Sequence, residues 1–322
     1  MLRLPAICVL VALLSACTDP NRLDVDPLVI PPPAPAPAPS FSAEIVWTEF
    51  GIPHVTADDW SGLGYGYGYA FAQHNYCVVM REFVRSNGES ARFLGEQGDT
   101  SLDLVMKLVN SEEFIQTSFV EGMPDFIRDL GEGYVAGLNR YLRETGVDNL
   151  AEGEEGCRGA AWVREVDLVD LGQLLHKRIL TASSVPLADF ITAARPPEQS
   201  AAVSLAPDLN AQMAQLAALS VDEARNRLHL PNPETLGSNA YGIGRDAHGG
   251  SSGLLFGNPH FPWQGPDRFY MSHLTIPGEY DVMGGALHGL PLVVLGFNRD
   301  VAWSHTVSTG SRFTFHELTL AE

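Results

Sequence analysis

Residues Gly237-Ser238-Asn239 combine a nucleophilic hydroxyl with a small residue in front of it. A serine hydroxyl is a weak nucleophile unless a base lies beside it. If the peptide bond before Ser238 is cut, the freed α-amine can accept the hydroxyl proton near neutral pH. Glycine at position 237 leaves the scissile carbonyl open and tolerates strained backbone angles. The tripeptide is a weak pattern alone, and its position where the sequence changes from helical to β-like character makes Ser238 a candidate nucleophile.

Two other groupings of reactive side chains are interpreted as structural. Gly249-Gly250-Ser251-Ser252-Gly253 fits the G-x-S-x-G pattern of a nucleophile elbow, which needs a strand before it and a helix after it. Here it lies between two short β-like runs, so it predicts a hairpin turn. Six of the ten histidines lie between His248 and His316, but they are widely spaced. No two of them form H-x-H or H-E-x-x-H, so no catalytic metal is expected.

The composition of the chain limits the classes of function open to it. Hydrophobic residues make up 45% of the 322 residues, which is enough to bury a sizeable core. There are 39 acidic and 20 basic side chains, and the net charge is −19. Because phosphate binding needs clustered Lys and Arg, we expect no nucleic-acid partner.

The N-terminal segment, Met1 to Cys17, predicts an export signal. A positive Arg3 and the apolar run Leu4–Leu14 precede Leu14-Ser15-Ala16-Cys17, which resembles the lipobox of bacterial lipoproteins. In such proteins the cysteine is lipidated, so Cys17 would anchor an exported, periplasmic protein to a membrane. A plain secretory signal is the alternative. Residues 18–43 form a linker, rich in proline and alanine, which favours an extended polyproline spacer.

Cys77 and Cys157 are the two cysteines outside this signal. An oxidising compartment makes a disulfide between them plausible. They are far apart in the chain, and sequence alone does not show that their Cα atoms approach each other.

The predicted secondary structure changes from mainly helical to mainly β at Gly237. Residues 44–214 are interpreted as a mainly helical segment after a short strand at Ile45–Trp47. Apolar spacing predicts three of its helices, at Met123–Leu142, Val166–Leu180 and Leu209–Leu228. Residues 238–322 predict a sheet whose first two strands form a hairpin, with strands at Ala240–Gly244, Leu254–Phe256, Phe269–Ile276, Leu292–Phe297 and Val301–Val307. Residues 215–237 are a candidate spacer between the two segments.

The segment after Gly237 resembles the start of the β chain in the penicillin acylase family of N-terminal-nucleophile hydrolases. Several ordered motifs carry this resemblance, and those after the first point to the acyl-homoserine-lactone and aculeacin acylase branch. They are Gly237-Ser238-Asn239-Ala240-Tyr241-Gly242-Ile243-Gly244, Gly257-Asn258-Pro259-His260-Phe261-Pro262-Trp263, Phe269 to Gly278, and Gly296 to Val307. Upstream, Gly51-Ile52-Pro53-His54-Val55 and Gly66 to Gln73 resemble the start of the family's α chain.

This resemblance implies a role for individual residues. Ser238 would be the nucleophile, with its own α-amine as the base, after cleavage between Gly237 and Ser238. His260, in the second motif, would steady the serine and the substrate, and Phe261 would line the acyl pocket. Val307, which ends the last motif, would give its main-chain N–H to an oxyanion hole. A main-chain donor explains how valine can occupy a catalytic position.

The resemblance also implies a fold and a reaction. The fold class is α+β, an incomplete α/β/β/α sandwich, with α and β chains cut from one precursor. The reaction is hydrolysis of an acylated small-molecule amine, such as an acyl-homoserine lactone, without a cofactor. A calcium site found in some members is doubtful here, because Ser308 to Phe315 contains no carboxylate. A second oxyanion donor, an asparagine far downstream in the family, has no counterpart before Glu322, so little activity is expected from these residues alone.

Two alternatives to this function remain open at the level of sequence. The enzyme could take a penicillin or a cyclic lipopeptide as its substrate. The chain could also be an anchored periplasmic module that has the family fold but no catalysis.

Overall fold

Two short strands, a mainly helical part and then a strand-rich part follow one another in this computed structural model, which describes residues 40–151, 156–181, 183–194 and 237–306. The α-helices in the described part are α1 Trp60–Ser86, α2 Ser90–Phe93, α3 Thr100–Val109, α4 Glu112–Ile115, α5 Asp125–Thr145, α6 Leu168–Leu180, α7 Ala188–Ala193 and α8 Arg245–His248. The strands are β1 Glu44–Trp47, β2 Pro53–Thr56, β3 Ser238–Ile243, β4 Leu254–Pro259, β5 Phe269–Ile276, β6 Tyr280–Leu287, β7 Leu295–Phe297 and β8 Ala302–Trp303.

Side-chain caps set where four of the helices begin. At each of these positions an oxygen of the residue before the helix accepts a main-chain N–H from the first turn, which would otherwise lack a partner. The capping residues are Asp59 for α1, Asp99 for α3, Ser111 for α4 and Asp167 for α6.

The two long helices, α1 and α5, pack with their backbones in close approach. Gly64 and Gly68 of α1 face α5, and Gly133 and Gly137 of α5 face α1. A Cβ at Gly64 would lie 2.0 Å from the carbonyl oxygen of Leu130, and one at Gly133 would lie 1.9 Å from that of Ser61. Only glycine fits at such a contact. The glycines, four positions apart on each helix, therefore set the distance between the helices.

Six strands form the main sheet, in the order β1-β2-β5-β6-β7-β8. The β2–β5 pair is parallel and the other pairs are antiparallel. Along β5, alternate side chains are buried, from Tyr270 through Ser272 and Leu274 to Ile276. This alternation places one face of the sheet in the core, and that core also contains apolar residues of α1, α5 and α6. The α+β fold class is confirmed.

Strands β3 and β4 form a separate two-stranded antiparallel sheet, which we call the ribbon, with Ser238 opposite Pro259. Most of its side chains are exposed. Residues Gly249 to Gly253 lie in the connection between β3 and β4, so the interpretation of this pattern as a hairpin turn is confirmed. Ser238 is the first residue of the ribbon, and Gly237 and His260 directly adjoin its strands.

Most predicted elements are present, with shifted ends. The helices predicted at Met123–Leu142 and Val166–Leu180 are α5 and α6, and the first two strands form the predicted hairpin. The strand predicted at Leu292–Phe297 is shorter, because its paired part begins only at Leu295. Of the strand predicted at Val301–Val307, Ala302–Trp303 is paired. The helix predicted at Leu209–Leu228 lies outside the described residues.

Strand β6 was missed because its sequence contains Gly284 and Gly285, and glycine is depleted in strands. The structure gives the reason for the first of them. A Cβ at Gly284 would lie 2.1 Å from the carbonyl oxygen of Leu295 on the neighbouring strand. Glycine is found in strands where another backbone comes this close.

Cys77 and Cys157 form a disulfide, with their Cα atoms 5.6 Å apart. The bond ties helix α1 to the segment that follows α5. None of the helices within the described ranges has the length and apolar character needed to cross a membrane. The predicted signal and lipidation site at Cys17, most of the linker and most of the candidate spacer lie outside those ranges.

Candidate active site

The hairpin register brings together residues that are far apart in the sequence. Pairing of Ser238 with Pro259 places Gly237, just before β3, beside His260, just after β4. The main-chain N–H of His260 donates to the carbonyl oxygen of Gly237 at 3.0 Å. Two of the predicted site residues, Ser238 and His260, are therefore neighbours at one end of the ribbon.

The carbonyl of Gly237 is the centre of this arrangement. It belongs to the peptide bond whose cleavage would free Ser238. The Ser238 hydroxyl donates to the same oxygen at 2.5 Å, so the nucleophile lies against the group that it would attack. An attack would place negative charge on that oxygen, to which His260 already donates its N–H.

Two asparagine amides hold the His260 ring. Nδ2 of Asn239 lies 3.3 Å from Nε2 of His260, and Nδ2 of Asn258 lies 3.2 Å from the same atom. With the amides in this orientation Nε2 accepts, which places the ring proton of a neutral imidazole on Nδ1. Sequence reasoning missed both asparagines. The hairpin register could have found them, because Asn239 pairs directly with Asn258.

Phe261 lies beside an aromatic residue that was not singled out from the sequence. Its ring centroid is 5.1 Å from that of Phe269, at the start of β5. Both rings are half-buried. They form an apolar pair at the two ends of the loop of residues 260–268, and Phe261 directly follows His260, whose N–H donates to Gly237.

The site is open in the described structure, where Ser238 is half-buried and His260 is exposed. A cavity of about 310 Å³ lies between the middle of α1 and the same loop, and Asn75, Gln264 and Arg268 are among its lining residues. Another, of about 180 Å³, is lined by Phe83, Trp162 and other residues of the helical segment. Neither cavity is lined by Ser238 or His260.

Val307, the predicted oxyanion donor, lies outside the described residues, so its position relative to Ser238 stays a prediction. Within the described ranges, no three His, Cys, Asp or Glu side chains are grouped so that they could hold a metal ion.

Comparisons with known proteins agree with the motifs. The family model described as penicillin amidase matches residues 42–322. Aculeacin-A acylase of Actinoplanes utahensis is 40% identical over 291 residues, covering 87% of this chain and 35% of that protein. Acyl-homoserine lactone acylase PvdQ of Pseudomonas syringae pv. tomato is 42% identical over 286 residues, covering 86% of this chain and 35% of that protein.

The chain therefore spans about a third of the length of these curated relatives. Among solved structures, a thermostable penicillin G acylase from Alcaligenes faecalis is 25% identical. The match covers 51% of this chain and 89% of that one, with a TM-score of 0.37, which is too low to support a statement about the fold.

Proposed function

The chain belongs to the penicillin amidase family, and from that premise we propose that it is the precursor part of an acylase that exposes Ser238 by cutting its own backbone. One observation carries the proposal. The Ser238 hydroxyl and the His260 N–H both contact the carbonyl oxygen of Gly237. Nucleophile and oxyanion donor thus share one scissile group.

The cleavage follows from this geometry. Ser238 Oγ attacks the carbonyl carbon of Gly237, and the His260 N–H stabilises the charge on the oxygen. The C–N bond then breaks as the Ser238 nitrogen gains a proton, which leaves an ester between the glycine carbonyl and Oγ. Water hydrolyses that ester. The products are a chain ending in the Gly237 carboxylate and a chain beginning with a free Ser238 amine.

The same serine would then act on a substrate. Its α-amine takes the hydroxyl proton, and Oγ attacks the amide carbon of an acylated amine. The amine leaves with a proton, and water hydrolyses the acyl-serine. The Phe261–Phe269 pair supports an apolar acyl chain as the group that is recognised. The same proposal includes Val307 as an oxyanion donor through its main-chain N–H. It also includes lipidation of an exported chain at Cys17.

The relatives' names support an acyl-homoserine lactone or a related acylated amine as the substrate. Those relatives comprise an aculeacin-A acylase and acyl-homoserine lactone acylases at similar sequence identity. The relatives' names therefore support the acyl half of the substrate more strongly than its amine half. Quorum quenching in the periplasm is the corresponding proposed role, and it requires the lactone as the physiological substrate.

Self-cleavage is tested by intact mass spectrometry of the purified chain. We expect it to split between Gly237 and Ser238, and Ser238→Ala to stay in one piece because the nucleophile is gone. Ser251→Ala, in the exposed turn of the ribbon, is the matched control and should split like the unchanged chain. Splitting of Ser238→Ala at this bond would contradict the proposal.

Substrate choice is tested on a chimera in which the remaining length of aculeacin-A acylase follows Glu322. We expect release of fatty acid from acyl-homoserine lactones, with loss of activity in Ser238→Ala. A chimera that cleaves itself but releases no acid from any acylated amine would support self-cleavage and contradict the proposed acylase activity.

A further inference from the structure

The loop of residues 260–268 is held differently at its two ends. At its start, the β-ladder and the His260 N–H fix it to the strand that carries Ser238. In the middle of the loop, Trp263 is 95% exposed, so this residue does not anchor the loop to the rest of the fold. At its end, Asp267 and Arg268 bind the helical segment on two sides. The end is therefore fixed by residues that precede the proposed cleavage point.

Arg178, in the last turn of α6, makes most of these contacts. Its Nη1 donates to Oδ1 of Asp267 at 2.5 Å, and its Nη2 donates to the carbonyl of Pro266 at 3.0 Å. The same Nη2 lies 3.5 Å from the carbonyl oxygen of His288, which directly follows β6. One guanidinium thus joins helix α6, the loop and the end of β6.

A buried carboxylate accompanies this guanidinium. Glu82 of α1 accepts from Nζ of Lys177 at 2.7 Å and lies 3.8 Å from Nη2 of Arg178. The Glu82 side chain is 3% exposed and that of Arg178 is 11% exposed. Buried charges are retained where they are paired. Glu82 therefore supplies negative charge close to Arg178 in the interior, and Asp267 is the carboxylate that Arg178 contacts directly.

Arg268 fixes the next position of the loop from another direction. Its Nη2 donates to Oδ1 of Asn75 at 2.8 Å, and its Nε donates to Nε2 of His288 at 3.3 Å. Asn75 has non-helical backbone angles, φ −135° and ψ 17°, within α1. The break in the helix occurs at the residue whose side chain binds the loop.

We propose that Arg178 is a positioning residue for the acyl pocket, which holds the end of the 260–268 loop, and hence Phe261 against Phe269, on the helical segment. This inference rests on the proposed function, since it assigns the Phe261–Phe269 pair to the substrate. His260 is fixed separately, by its N–H bond to Gly237 beside the end of the β-ladder, so we expect self-cleavage not to depend on Arg178. The contacts join Arg178, before the proposed cut, to residues after it.

The proposed role of Arg178 depends on the two terminal nitrogens of its guanidinium group. Three acceptors, the Asp267 carboxylate and the carbonyls of Pro266 and His288, are reached from its two terminal nitrogens. A lysine at this position keeps the charge but has a single nitrogen, which does not reproduce this bidentate geometry. Arg178→Lys therefore separates a positioning role from a purely electrostatic one, in which lysine would substitute.

The first measurement is hydrogen–deuterium exchange of the full chain in Arg178→Lys and Asp267→Ala. Asp267 is half exposed, so its alanine variant removes the loop's side of the contact and leaves Glu82 beside Arg178. We expect exchange in residues 261–268 to accelerate about tenfold in Arg178→Lys and less in Asp267→Ala. Arg143→Met, which removes an exposed ion pair with Glu165, is the matched control and should leave the loop unchanged.

The second measurement uses the chimera with the downstream part of aculeacin-A acylase. In Arg178→Lys we expect KM for a long-chain acyl amide to rise about tenfold with kcat within about twofold, because binding and not chemistry is weakened. Cleavage before Ser238 should proceed as in the unchanged chain.

Unchanged exchange of residues 261–268 in Arg178→Lys would overturn the inference, whatever the enzyme does. A loosened loop with an unaltered KM would overturn its functional part. If the unchanged chain never cleaves itself, the proposed function has failed, and the exchange result still decides whether Arg178 holds the loop.

Discussion

The six-stranded sheet and the ribbon differ in what stabilises them. On the sheet, Leu274 and Ile276 are buried in the core shared with α1 and α5. On the ribbon, Tyr241 is 60% exposed and Phe256 is 55% exposed. The sheet therefore has the apolar burial that drives folding, whereas the ribbon has mainly its backbone ladder.

The proposed chemistry lies in the region with less packing. A two-stranded hairpin is marginally stable by itself in water, so contacts outside the ribbon must help to place it. One such contact is between Gly257 of β4 and the residue after β8, since a Cβ at Gly257 would lie 3.1 Å from Ser304. The geometry of Ser238 and His260 depends on the register of the ladder, and the packed helices and sheet provide the frame that holds the loop beyond it.

The largest expected effect on stability comes from replacing glycine by alanine, which should be costly in the packed helices and nearly neutral in the ribbon. Gly133→Ala would place a Cβ 1.9 Å from the carbonyl of Ser61, whereas Gly242→Ala in β3 meets nothing within 4 Å. We expect Gly133→Ala to lower the free energy of unfolding by about 4 kcal/mol, although alanine is the better helix former. Urea unfolding followed by circular dichroism measures both variants.

Gly242→Ala is the matched control and should stay within about 0.5 kcal/mol of the unchanged chain. Equal losses from both variants would show that the ribbon is packed as tightly as the helices, which would remove the difference between the regions.

A smaller effect is expected at the buried ion pair of the packed region. Burial by itself would raise the pKa of Glu82, but Lys177, Arg178 and Arg85 outweigh it and lower this pKa from 4.5 to about 2. We expect Glu82→Gln to cost on the order of 3 kcal/mol at pH 7, because it leaves buried cations without their counter-charge. Urea unfolding at several pH values measures this cost.

The pH dependence of that cost follows from the direction of the shift. A carboxylate with a lowered pKa stabilises the fold above its unfolded pKa of 4.5, and the stabilisation is lost as pH falls toward 2. The difference between the unchanged chain and Glu82→Gln should therefore narrow to roughly 1 kcal/mol at pH 3. A difference that is constant from pH 7 to pH 3 would exclude Glu82 ionisation as its source.

Much of the packed region could be predicted from the sequence, because periodicity reports burial. The helices α5 and α6 and the strand β5 follow regular apolar spacing. Strand β6 could not be predicted this way, since Gly284 is required by the neighbouring backbone and not by a pattern along its own strand. Helix α1 was predicted only as part of a helical segment, and its contact with α5 depends on glycines that no apolar stripe marks.

At the site, the sequence indicated residues but not their contacts. Ser238 and His260 were assigned by resemblance, and the hairpin brings them together through Gly237. The support from Arg178 could not be found in advance. Arg178, in α6, donates to the main-chain carbonyl of Pro266 in a loop much later in the chain. A hydrogen bond to a main-chain carbonyl cannot be predicted from residue spacing or residue type.

The smallest expected effect is on the ribbon itself. Phe256 is exposed and has the ring of Tyr241 at 6.0 Å, so Phe256→Ala should cost only about 0.5 kcal/mol in urea unfolding. Phe83→Ala, which empties a buried position of α1, is the matched control and should cost about 4 kcal/mol. Cleavage before Ser238 should persist in Phe256→Ala, because the ladder that aligns Gly237 with His260 is made of backbone. If this variant lost as much stability as Phe83→Ala, or stopped cleaving, the ribbon side chains and not the register would be placing the nucleophile.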